Sequence, residues 1–105
     1  MTPDQPNNLS EQLLLDVKKK KDTSSIQLQL AELALDFLAQ HLINDDKKKA
    51  FWINIYNAYY QILRVDKKIT KSDIYKKKLF SIAGNILSLD DVEHGILRKY
   101  RYKYS

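Results

Sequence analysis

Twenty residues, Asp46 to Val65, run without a glycine or a proline and carry the chain's only tryptophan. Nothing inside them breaks a helix. Asp45 or Asp46 supplies a capping carboxylate at the start, where the first backbone N–H groups lack partners. Stepped at about 100° per residue, Asn54, Asn57, Gln61 and Arg64 fall on one narrow stripe. The remaining circumference is apolar or aromatic: Phe51, Trp52, Ile53, Ile55, Tyr56, Ala58, Tyr59, Tyr60, Ile62 and Leu63. A helix so broadly apolar needs cover from several neighbours. The expectation is a central helix over about 46–65, wrapped by other helices. Its Asn54/Asn57/Gln61/Arg64 seam faces water or nearby backbone, or else pins a loop and lines a cleft. A buried Trp52 should cost about 3–5 kcal/mol when truncated to alanine.

A chain of 105 residues makes one domain and hides roughly two thirds of its unfolded surface. Two glycines and two prolines suit a mainly helical fold with few sharp turns. There is no cysteine, so disulfides, thiolate nucleophiles and cysteine metal sites are excluded. No run approaches the roughly 18 apolar residues of a membrane span. Met1 to Asn8 is polar, lacks the apolar segment of a signal peptide and reads as a loose tail. As written the chain is cytoplasmic, or exported if a leader has been removed. The charge is 18 − 13 = +5, and fifteen of the bases are Lys against three Arg. Readers of nucleic acid favour the planar Arg fork, so no specific nucleic-acid partner is expected. Weak polyanion binding through the lysine runs stays open as an alternative.

Along the chain, Ser10 reads as the cap of a first helix from Glu11 to about Lys20 that buries Leu9, Leu13, Leu14 and Val17. A second helix is expected from Ile26 to about Ile43, forming an antiparallel pair with the central helix. His41 lies on its apolar side, packed near Phe37 and bonded to a terminal carbonyl. Ser72-Asp73 starts a short turn through Lys77. Residues 79–87 then read as a β-hairpin, with Gly84-Asn85 supplying a two-residue turn. Ser88 and Asp91 match a capping box for a last helix from Leu89 to about Tyr100. In the tail that follows, Tyr100, Tyr102 and Tyr104 alternate with bases and read as a face packed on protein.

His94 is the one acid–base candidate, with Asp90 at i−4 and Glu93 beside it to orient it. The plainer reading is that Glu93 and His94 fix the corner between hairpin and helix. Burial of His94 against backbone would favour that reading; exposure in a concave pocket beside Asn54 or Asn57 would favour catalysis. Asp90 and His94 make two metal ligands where zinc needs about three. No metal and no cofactor is expected, and there is no phosphate-cradling glycine loop.

Two stretches, Lys-Ala-Phe-Trp-Ile-Asn-Ile-Tyr-Asn-Ala at 49–58 and Leu-Ser-Leu-Asp-Asp-Val-Glu-His-Gly-Ile-Leu-Arg at 87–98, resemble the two early signature motifs of the domain of unknown function 547 family. The family occurs in bacteria, often in exported proteins, and in plants. The resemblance covers roughly residues 30 to 98. Longer members continue into a region with a His and a Cys-Pro-Pro-type motif that suggests thiol chemistry. The resemblance implies that this chain is the N-terminal portion of a larger domain, a scaffold or protein-interaction piece whose partner is a second copy or the missing half. The alternative it implies is a partial, thiol-hydrolase-like enzyme in which Glu93 and His94 assist a nucleophile supplied from outside.

Overall fold

The computed structural model describes residues 5–42 and 44–97; the expectations placed on Met1–Asp4, on Ile43 and on the tyrosine-rich tail lie outside these. The described residues are mostly helical. They comprise α1 (Gln5–Lys18), α2 (Ser24–Glu32), α3 (Leu35–His41), α4 (Asp45–Gln61), α5 (Lys71–Lys76), β1 (Phe80–Ile82) and β2 (Asn85–Leu87). Two π-wound segments add to these, one continuing α4 over Ile62–Asp66 and one following the hairpin over Asp91–Leu97.

The central helix lies where the sequence puts it, and its face is sharply divided. Phe51, Ile55, Ala58, Tyr59 and Ile62 are buried at the usual helical spacing. They meet Leu13 of α1, Leu30 of α2, Ile74 of α5, Phe80 and Ile82 of the hairpin, and Leu89 and Val92 beyond it. Trp52 is only half-buried, resting edge-on against Phe51 with ring centroids 5.0 Å apart. The buried anchor is therefore Phe51, one position earlier than expected. The reason is geometric: the core needs a stripe, and Phe51, not Trp52, is in phase with Ile55, Ala58 and Ile62.

Several boundaries move, each for a local reason. Asn44, not an aspartate, caps α4, its side-chain oxygen accepting from the Lys47 N–H at 2.8 Å. Thr70 caps α5 by accepting from the Asp73 N–H at 3.3 Å. The first helix begins at Gln5, so Ser10 is inside it instead of capping it. Ser10 is buried, its hydroxyl donating back to the Asn7 carbonyl at 2.9 Å. The same oxygen accepts from the Asn54 side chain of α4 at 3.2 Å. This fixes the register of α1 on α4, and α1, not the second helix, is the central helix's main partner.

The expected helix over 26–43 is broken. Leu33 (φ −54°, ψ 138°) and Ala34 (φ −70°, ψ 135°) are extended, which separates α2 from α3. The hairpin explains this. Its turn is Ala83-Gly84, one residue earlier than expected, with both residues at positive φ (50° and 79°) and Ile82 paired to Asn85. The Ala83 and Gly84 N–H groups donate to the Leu30 and Ala31 carbonyls at 2.9 and 2.8 Å. The turn thus caps the C-terminus of α2 from a distance of some fifty residues in sequence, supplying partners to carbonyls that a helix end leaves open.

Candidate functional site

The last helix starts as a capping box requires. The Ser88 N–H donates to the Asp91 carboxylate at 2.9 Å, and the Asp91 N–H donates to the Ser88 hydroxyl at 3.1 Å. The Lys78 ammonium adds an ion pair to Asp91 at 2.6 Å. Together these hold the Asp91 carboxyl below the usual carboxylate range, the lysine bond contributing most. This pair fixes the corner between hairpin and helix.

The π winding that follows carries Glu93, His94 and Gly95 in one turn. His94 is exposed, and its Nε2 lies 3.4 Å from both the Asp90 and the Glu93 carboxylates. Glu93 turns inward. With Leu97 it faces Lys49 and Ile53 of α4 across an opening of about 260 Å³. Deeper along the same face of α4, the Tyr56 hydroxyl donates to the Tyr75 hydroxyl of α5 at 3.1 Å. Burial, the Tyr75 bond and the Glu93 charge all push the Tyr56 hydroxyl's pKa upward, burial most. The residues around Glu93 therefore form a mixed basic, acidic and phenolic strip. Sequence reasoning missed Lys49, Ile53, Tyr56 and Tyr75; the i, i+4, i+7 spacing of the first three was the available signal.

The polar seam of α4 does not gather at this strip. Asn54 is turned to Ser10 of α1. Asn57 and Gln61 are exposed, and Arg64 donates forward to the Ile69 carbonyl at 3.4 Å. Asn54 thus pins a helix, and Arg64 secures the bend after α4. His94 is exposed and not buried against backbone. His41 behaves as expected, its Nδ1 2.8 Å from the Phe37 carbonyl and its ring 4.0 Å from that of Phe37. Among the described residues no group of three or more His, Asp or Glu is placed to hold a metal ion, and no helix is long and apolar enough to cross a membrane.

A second concavity is apolar. Leu35 and Leu38 of α3, Trp52 of α4, Ile82 and Leu87 of the hairpin and Ile96 surround a recess of about 190 Å³. Leu35 is 60% exposed at its rim, and Ile86 on the adjoining strand is 61% exposed. In the antiparallel ladder the Ser81–Ile86 pair follows the Ile82–Asn85 pair that closes the turn. Alternation of the ladder aims the Ile86 N–H and C=O away from β1, toward the edge of β2 on which no other strand pairs among the described residues.

The profile of the family described as "Protein of unknown function, DUF547" matches residues 40–105. The chain belongs to the DUF547 family. The match takes in α4, α5, the hairpin and the His94 helix, so both quoted motifs lie inside it. The DUF547 match leaves α1 and α2 outside, although Leu13 and Leu30 from these helices are fully buried in the core. No curated protein and no solved structure matches the chain.

Proposed function

We propose that this chain is a non-catalytic, protein-interaction portion of a larger DUF547 domain, and that its working surface is the apolar recess beside β2. The observation that carries this is the pairing of two features. Leu35, Trp52 and Ile86 leave apolar surface in water around a concavity, and the main chain of Ile86 offers a strand edge next to it. An extended polypeptide with apolar side chains at alternate positions satisfies both: its backbone pairs with β2, and every second side chain enters the recess.

The test is a titration of the isotope-labelled chain with a synthetic eight-residue peptide alternating leucine and serine, followed by NMR. The Ile86 amide and the Trp52 indole N–H are expected to shift together. Leu35→Glu, at an exposed position, should abolish both shifts, whereas His94→Ala should leave them intact. An Ile86 amide that stays in place at millimolar peptide would sink the proposal.

One observation favours a second reading, an enzyme completed by groups outside this chain. Two carboxylates flank the exposed His94 Nε2, an arrangement that orients an imidazole for proton transfer. With no cysteine in the chain, a thiol nucleophile would have to be supplied from elsewhere. Turnover of a thioester substrate by the chain supplied with a small thiol, above the rate of the thiol alone and lost in His94→Ala, would displace the binding proposal.

A further inference from the structure

The broken helix and the hairpin turn compete for the same two carbonyls. In an unbroken helix the Leu30 and Ala31 carbonyls accept from the N–H groups four residues on, those of Ala34 and Leu35. Here they accept from Ala83 and Gly84 instead. The residues at the break carry no instruction to stop. Leu33 and Ala34 are strong helix formers, and neither glycine nor proline lies between Ser24 and His41. The extended dihedrals at Leu33 and Ala34 are thus held by a contact far away in sequence. The two-residue turn that docks also holds Ala83, a residue with a Cβ, at φ 50°, a left-handed conformation costly to most residues other than Gly, Asn and Asp.

We propose that this segment is a two-state switch. In one state the hairpin is docked, α2 and α3 are separate, and the recess exists. In the other the hairpin turn is released, and residues 24–41 form one helix. The recess is walled by Leu35 and Leu38 on one side of the junction and by Ile82 and Leu87 of the hairpin on the other. Joining the helices swings the first pair away from the second and takes the recess apart. The switch stands on the backbone alone, whether or not the recess binds a peptide; if it does, a ligand there selects the docked state.

Two substitutions separate the states. Ala34→Pro fits the docked state, because Ala34 has φ −70° and Leu33 has the ψ of 138° suited to a residue before proline. It forbids the joined helix. Gly84→Val opposes the docked state, because a β-branched residue is strained at φ 79°. In the full chain, Gly84→Val is expected to move the Leu33 and Ala34 13Cα shifts from extended to helical values, and adding Ala34→Pro should reverse that. Extended shifts at Leu33 and Ala34 in a folded Gly84→Val chain would overturn the switch. If that variant does not fold, native-state hydrogen exchange decides. Ala34→Pro alone should slow exchange at the Ala83 and Gly84 amides by about ten-fold or more, since release would no longer be compensated by helix formation. Unchanged exchange at those two amides would mean that release is simple fraying, and the switch would be wrong.

Discussion

Phe51 and Trp52 are adjacent and aromatic, yet they do different work. Phe51 is fully buried in the stripe that holds the core together, and Phe51→Ala should cost about 3–5 kcal/mol. Trp52 lines the recess at the surface, so Trp52→Ala should cost less than Phe51→Ala, as read by urea denaturation of the two variants. The reverse order would place the indole, not the phenyl ring, at the centre of the fold. Tyr59 supports a second prediction. It is 2% exposed and stacked on Phe80 with centroids 4.3 Å apart, and burial pushes its hydroxyl up to about 12. A phenol whose folded value lies above its unfolded value of about 10 stabilises the fold at lower pH. That stability drains away as pH rises from about 10 toward 12. Thermal melts across this window should show the loss, and Tyr59→Phe should reduce it. Asp91 acts at the other end of the scale. Its folded value is depressed, so its contribution is present above the ordinary carboxylate value of about 4 and is lost as pH falls below it. Asp91→Asn should flatten the acid limb of the stability curve.

At the level of elements, the legible parts were those whose cause is local. The Ser88/Asp91 box is a four-residue device, and the structure builds it as the spacing requires. Ser88→Ala should remove about 1 kcal/mol, the usual cost of a lost cap. The central helix was legible for the same reason, from a stretch free of glycine and proline with apolar residues at helical spacing. The misread elements answer to distant partners. No residue near Leu33 announces the break, because the donors that cause it sit on Ala83 and Gly84. The hairpin turn sits one residue earlier than the more turn-like Gly84-Asn85, and it is Ala83-Gly84 whose N–H groups meet the end of α2. Asn85 still helps, its side chain donating to the Ala83 carbonyl at 3.1 Å. This slip makes a sharp prediction. Ala83→Val, β-branched at positive φ, should destabilise by about 1–3 kcal/mol, while Ala83→Gly should be far milder. Equal losses in chemical denaturation would mean that Ala83 is not held in a left-handed conformation in solution. The candidate site was half-legible: His94 and Glu93 stood out by residue type, but the Tyr56–Tyr75 bond depends on how α5 folds back, which no local pattern encodes.

The described fold is a slab of 35 × 34 × 23 Å with a radius of gyration of 13.3 Å, the size expected of a compact chain of about this length. Its core draws on both ends of the described chain. Leu13 and Leu30 lie outside the DUF547 match, whereas Val92 lies near the end of the described residues. A chain beginning at residue 40 would keep every matched motif and lose α1, the principal cover of α4. Such a truncation is expected to give the narrow amide dispersion of an unfolded protein in an NMR spectrum, and wide dispersion would show that the first two helices are dispensable. The outer edge of β2, which pairs with no further strand among the described residues, has a practical consequence as well. An edge strand bearing an exposed isoleucine is a template on which chains stack, so concentrated solutions should grow turbid over time. A lysine in place of Ile86 would act as a gatekeeper and keep them clear.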